Sequence, residues 1–377
     1  MDWKPYAERL AEEIADPVSR WRPLVSQTPR HALVPRWWER TPGGGWVLHD
    51  GPADPEKWTS TAYSDRTLVT RVGPLHADHA ENGQTTTGPA TSSSTHPGLV
   101  IQMYRHGRLA KGLDLLDIGT GSGYGTALAA GLLGDKHVQA IDVDPYLEAA
   151  ARERLDRMGL HPDLVTGDAT GPLPRTYDRI VSMVSVWPVP ASWLAALRPG
   201  GRLVTTIANT SAILTAWKTE DGRAVGRIER DWAGFMSTRH GDDYPTGLGG
   251  RIEELADVDG DHITQGRYPV LNLSEAWELR SMLELAVPGV ETHYRQDGRR
   301  RTAWLLHQDG SWARASATFI DPPVVHQGGP RRLWDVLERI RHRQNSEGGL
   351  PLYGSRAEIA QDGAVHLSRG KWTATIE

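Results

Sequence analysis

Apolar and polar positions divide the chain into three stretches of different texture. In the first, roughly Tyr6–Arg40, Leu10, Ile14 and Val18 fall on one face at helical spacing, so helix is expected there, with PRHALVPRWW following. YSDRTLVT alternates as a strand does. Residues 73–97, rich in Gly, Thr, Ser and His, read as a long structureless loop, of the kind that is usually functional or mobile. From Leu113 the pattern becomes strand, helix, strand. LDLLDIG is a short buried run before a glycine turn and the helical TALAAGLLG, and HVQAIDV is a second strand. PYLEAAARERLDRMG is a helix with Pro at its start and Gly at its end. DLVTG, YDRIVSMV and GGRLVTTI supply three more strands, and AILTAWK with AVGRI a hairpin around EDGR. Strands joined by helices of this length predict right-handed crossovers and a mostly parallel sheet with helices on both faces.

The third stretch follows a polar, glycine-rich linker, RHGDDYPTGLGG. It mixes strands (RTAWLLHQ, SWARASATFI) with an amphipathic helix, RRLWDVLERIRHRQ. The expected organisation is therefore an α/β Rossmann-like domain over residues 1–239, closed by the hairpin, and a smaller α+β domain over 251–377. No internal repeat is present.

At 377 residues two domains are the natural prior, and 38% hydrophobic with 24% charged residues fits a globular chain. The absence of cysteine excludes disulfides and thiolate chemistry and makes the cytoplasm the expected compartment. No apolar run spans a bilayer and the charged N-terminus has no signal-peptide core, so no membrane partner is expected. A net charge of −5 gives no reason to expect nucleic acid; Arg299–Arg301 is the one basic triplet, more often a solvated turn than a docking site. Fifteen tryptophans stand against two phenylalanines. Composition alone does not say whether they fill cores or interfaces.

The chemistry concentrates at DIGTGSGYG, Asp117–Gly125. A dinucleotide fingerprint needs a third glycine where Tyr124 stands, or Thr126 in the alternative register, so that reading fails. The pattern Asp-x-Gly-x-Gly-x-Gly is that of adenosylmethionine binders. Gly119, Gly121 and Gly123 let backbone approach the cofactor without a clashing Cβ. Asp117, Thr120 and Tyr124 belong to the same turn, with Asp117 placed for the cofactor's amino group, directly or through water. Asp142 and Val143, with Asp144 just beyond, end the second strand, where a carboxylate accepts hydrogen bonds from ribose hydroxyls. Asp168 and Ala169 end the third, placed to read an adenine edge. The fourth runs into SVWPVP, where Val184 and Ser185 line the acceptor cleft. Upstream, Ser93, Ser94 and Thr95 precede His96-Pro97 at a helix start, a dense set of donors suited to a cofactor or substrate carboxylate. His76, His79 and His96 lack metal-ligand spacing, and no metal is expected.

Over roughly residues 20–239 these motifs, with PRHALVP, AYSD, GDAT, LRPGGRLV and GFMSTR, resemble the protein-L-isoaspartate O-methyltransferases. The resemblance implies S-adenosyl-L-methionine as cofactor, S-adenosyl-L-homocysteine as product, and a carboxylate acceptor. In that family the hydroxyl segment ends Thr-Ile-Ser-x-Pro, and its serine helps hold cofactor and substrate carboxylate. Thr95 takes that slot, so Thr95, Ser94 and Ser93 are the implied catalytic residues. TSSST-x-Pro and about 140 residues beyond the shared region resemble the branch that methylates ribosomally synthesised peptides (graspetides, lasso peptides, lanthipeptides). That implies a cyclised precursor peptide as partner, with one aspartate esterified and then closed to an aspartimide. Trp304, Trp312 and Arg331 would then present a peptide surface, although each tryptophan alone reads better as core. The alternatives are a general L-isoaspartyl repair enzyme and a non-catalytic cofactor-binding scaffold. Oligomeric state is not set by the sequence.

Overall fold

A computed structural model describes residues 2–239, 244 and 246–377. Part of the expected linker, 240–243 and 245, lies outside the described residues.

The N-terminal stretch is not one helix. Lys4–Ile14, Trp21–Gln27 and Arg30–Leu33 are separate helices, and Arg36–Arg40 is already a strand. Ala15 is already extended and Pro17, which lacks an amide donor, cannot carry the helix on, so the repeat of Leu10 and Ile14 ends before Val18, which is 97% exposed. Residues 73–97 are not structureless either. They contain short strands, and Ala90–Ser94 pairs antiparallel with Leu68–Val72 in a six-stranded N-terminal sheet. Local composition marked this run as loop, whereas strand pairing buries Thr91, Ser92 and Ser94. Of YSDRTLVT only Leu68–Val72 is strand.

The alternating segment folds as expected. Leu115–Ile118, Val138–Asp142, Asp163–Thr166, Tyr177–Val186 and Leu197–Ile207 form parallel pairs, with Leu115–Ile118 between Val138–Asp142 and Tyr177–Val186. Ala212–Lys218 and Ala224–Trp232 add an antiparallel hairpin. Successive side chains point to opposite faces. Leu115 packs with the helices Pro97–Gly107, Tyr124–Leu133 and Pro145–Asp156, whereas Leu116 and Ile118 join a core shared with Leu283, Trp334 and Leu337 of the C-terminal segment.

The hairpin does not close the sheet. Arg356–Ile359 pairs with Ala224–Trp232, and Val365–Arg369 and Trp372–Ile376 follow antiparallel, giving ten strands in one sheet. The expected boundary at 239 therefore does not coincide with a break in the sheet. Between these strands and the linker lie a five-stranded antiparallel sheet (262–328) and the helices Trp277–Ala286 and Leu333–Glu347. Trp304 and Trp312 are buried there, so they are core rather than peptide-facing surface, and Arg331 is held by Asp309 at 2.7 Å.

Candidate active site

A cavity of about 660 Å³ opens at the carboxyl ends of the parallel strands, within the size range of small-molecule sites. Gly119 and Gly121 line it from the first strand's turn, Asp142 and Val143 from the second, Asp168 and Ala169 from the third, and Val184 from the fourth. Ser93, Thr95 and His96 face it from the hydroxyl run. Two stretches distant in sequence thus share one wall.

Glycine is required at this turn. Gly119 and Gly121 adopt φ of +89° and +51°. A Cβ on Gly121 would stand 3.1 Å from the Ser93 carbonyl oxygen, and one on Gly119 would stand 3.1 Å from Val184. The Gly121 N–H donates to Asp142 Oδ2 at 2.9 Å, and the Asp144 N–H to Oδ1 at 3.1 Å. Burial raises the Asp142 carboxyl above its ordinary range, against the pull of those two amides. Each oxygen keeps a second lone pair for a ligand hydroxyl. Asp168 Oδ1 accepts from both the N–H and the hydroxyl of Thr170, which fixes the carboxylate beside apolar Ile141 and Leu147. A vicinal diol at Asp142 and a flat ring toward Asp168 fit this wall.

Other predicted residues lie outside the cavity lining. Asp117 is 2% exposed and sits behind the turn, Oδ2 accepting from Thr126 Oγ1 at 2.8 Å. Oδ1 makes no hydrogen bond of good geometry, though the Tyr104 hydroxyl is near enough to favour the charged form. Burial wins, and the carboxyl is pushed up to about 6. Asp117 thus lies behind the strand–helix turn, bonded by Thr126, with the turn's glycines between it and the cavity lining. Ser94 and Thr120 are buried with unpartnered hydroxyls. Gly123 caps the next helix, and Tyr124 begins it as a buried ring. Ser185 is also buried. Its backbone bonds Met236 and Thr238, and its Oγ donates to the Phe235 carbonyl at 3.1 Å. It anchors the segment after the hairpin, which lines the cavity through Phe235, Met236, Ser237 and Thr238.

The helix N-terminus that was to receive a ligand carboxylate already holds one. Asp65, from AYSD, accepts from the Gly98 N–H at 2.7 Å and faces His96 Nδ1 at 3.2 Å. Burial pushes Asp65 up, but these hydrogen bonds outweigh it and hold the carboxyl below its usual range. Arg30, from PRHALVP, is fully buried. Its guanidinium donates to the carbonyls of Ala62, Ser64, Arg66, Ser94 and Thr95 at 2.9–3.3 Å. Burial brings it down to about 10. Arg30 therefore sets the backbone of the hydroxyl run, a role local pattern did not show although the motif was visible. His76 and His79 pack on Tyr146, ring centroids 4.8 and 4.1 Å away. Among the described residues no acidic or histidine cluster is arranged to hold a metal ion.

Comparison with known proteins agrees with this geometry. The family model for protein-L-isoaspartate(D-aspartate) O-methyltransferase matches residues 56–233. A Methanothrix thermoacetophila protein-L-isoaspartate O-methyltransferase is 30% identical over 230 residues, covering 59% of this chain and 91% of that one. The namesake from Thermococcus onnurineus is 32% identical over 140 residues, 36% of this chain and 63% of its own length. The chain thus spans just under two thirds of that relative. A solved structure bearing the same name shares the fold at TM-score 0.52 and 18% identity, covering 97% of this chain and 99% of that one. On these grounds the chain belongs to the protein-L-isoaspartate O-methyltransferase family.

Proposed function

We propose that this protein is an S-adenosyl-L-methionine-dependent O-methyltransferase acting on a carboxylate carried by a peptide or protein. The observation that carries this reading is the shared cavity, which Ser93 and Thr95 line together with Asp142 and the glycine turn. Gly119, Gly121 and Asp142 would hold the cofactor's aminoacyl and ribose parts, with Asp168 and Ala169 toward its adenine. When bound, the cofactor supplies an electrophilic methyl on a sulfonium.

The acceptor needs no deprotonation, because a carboxylate with an ordinary pKa near ~4 is already ionised at neutral pH. The chain's task is alignment and exclusion of water. The Thr95 and Ser93 hydroxyls can donate to the acceptor, and Arg30 holds the backbone of this run through the Ser94 and Thr95 carbonyls. Val184, Phe235 and Met236 supply an apolar wall.

L-isoaspartyl residues are the acceptor that the family's name indicates. The second reading is an aspartate in a cyclised ribosomal peptide, whose ester then closes to an aspartimide with loss of methanol. TSSSTHP, with threonine in the serine slot, favours it. The test is mass spectrometry after incubation with cofactor and either an isoaspartyl peptide or a cyclised precursor. Methyl gain on the isoaspartyl peptide alone selects repair. Methyl gain and then methanol loss on the cyclised peptide alone selects the second reading. No methyl gain on either overturns carboxyl methylation and leaves a cofactor-binding scaffold.

A further inference from the structure

We infer that Arg108, Arg179 and Arg202, gathered around Trp217, form a binding site for a phosphate-class oxyanion. None of the four lines the cavity described above. Register places three of them on one face of the ten-stranded sheet. Arg179 pairs with Leu115 on one side and Arg202 on the other, and Arg202 pairs with Trp217. Register partners on neighbouring strands project from the same face. Here that is the face covered by the helix Pro97–Gly107, because Leu115 packs with that helix and Arg202 Nε donates to the His106 carbonyl. Arg108 ends the helix with φ +50° and reaches the same ring. The guanidinium carbons of Arg108, Arg179 and Arg202 lie 5.5, 5.2 and 4.6 Å from the Trp217 ring centroid. One indole has two faces, so cation–π contact leaves a third guanidinium unmatched, and like charges on paired strands repel.

The carboxylates nearby are engaged elsewhere. Glu229 is 3.8 Å from Arg202 but 2.7 Å from Arg227, and it accepts from Thr215 at 2.6 Å. Asp178 accepts from Arg198 at 2.7 Å and from the Asp114 N–H at 2.9 Å. Asp231 faces His106 at 2.9 Å, and Glu358, beyond Val225 on the same face, is held by Arg356 at 2.8 Å. Among the described residues Arg108, Arg179 and Lys111 make no ion pair. Arg179 donates through Nη1 to the Asp178 carbonyl at 2.7 Å, while its buried Nε has no partner. Burial brings Arg202 down to about 10, and Arg108 pushes the same way. A helix C-terminus attracts positive charge, but Arg105 and His106 already stand on this last turn. Arg108 also lines a cleft of about 420 Å³, whose other charged lining residues are Arg20 and Arg105. Planar guanidiniums pair with phosphate oxygens in forks, and a tetrahedral dianion can take several forks at once.

The test uses the full chain, with phosphate, pyrophosphate, O-phosphoserine or chloride added at matched pH and ionic strength. Phosphate and pyrophosphate should raise the thermal midpoint saturably, by about 2–4 °C over chloride at ten times Kd. R108N removes the exposed cation and leaves a residue that tolerates φ +50°. R179Q removes a paired cation and keeps side-chain N–H donors. Calorimetry should show phosphate binding weakened about fivefold to tenfold in each variant. Each midpoint is read against the same variant in chloride, so a general loss of stability cancels. O-phosphoserine binding more tightly than phosphate supports a phosphoryl group carried on a larger ligand, and the reverse order supports the free anion. A rise that does not saturate, an equal rise in chloride, or an affinity unchanged in either variant overturns the inference.

Discussion

Replacing Asp117 by asparagine should stabilise the cofactor-free protein at neutral pH. The carboxyl has an ordinary value of 3.8, and burial behind the glycine turn raises it to about 6. A group whose folded-state value lies above its unfolded one binds protons more tightly when folded. Its ionisation therefore opposes folding, beginning as pH rises past the unfolded value and complete above the folded one. A shift of about two units at ~1.4 kcal/mol each amounts to about 3 kcal/mol at pH 7. Asparagine keeps an oxygen for the Thr126 hydroxyl, and its amide can donate to the Tyr104 oxygen, which has no partner of good geometry. Urea unfolding of wild type and D117N without cofactor at pH 4, 5.5 and 7.5 provides the test. The expected gap, in favour of D117N, is near zero at pH 4 and grows to about 2–3 kcal/mol at pH 7.5. A gap independent of pH, or a variant less stable at pH 7.5, would refute the reasoning.

Other substitutions probe the remaining parts of the site. G121A forces an alanine to φ +51° with its Cβ against the Ser93 carbonyl; it should cost about 1–3 kcal/mol in urea melts and weaken S-adenosyl-L-homocysteine binding by calorimetry. D142N leaves one oxygen where two accepted backbone amides, and should lower cofactor affinity about tenfold, a larger loss than D117N because Asp142 lines the cavity and Asp117 does not. R30M strands five carbonyls, two of them in the hydroxyl run; a loss of about 3–5 kcal/mol is expected, and R30K should recover only part of it, since an ammonium cannot span what a planar guanidinium does. A thermal midpoint within a degree or two of wild type for R30M would count against that role.

What the sequence disclosed follows the range of the interactions involved. The strand–helix alternation and the glycine turn depend on neighbours a few positions apart, and both were readable. Asp142 and Asp168 were placed by their position at strand ends. Arg30 was visible in its motif, but its partners lie 32 to 65 positions away, so its hold on the hydroxyl run was not. Asp65 occupies the helix start proposed for a ligand, again across a gap of 33 residues. The wall at 231–239 was visible in part as the GFMSTR motif, but its place in the cavity was not, because that depends on Ser185 pairing with it across half a hundred residues. Val18 misled for the opposite reason: a periodicity was continued through a proline that ends it.

The ten-stranded sheet makes the two ends of this chain interdependent. Asp231 and Trp232 end the strand whose earlier residues, Ala224 to Arg227, are clasped by Arg356–Ile359. Cutting the chain after the linker would strip that strand of its outer neighbour and leave raw amides at a sheet edge, an invitation to self-association. The same cut would remove Trp277 from behind Trp232. The part of the chain that matches the family is thus not a portable cassette: grafting it onto another scaffold, or trimming the protein to its most recognisable half, would disturb the cavity wall at Asp231 and Trp232 before it touched the glycine turn.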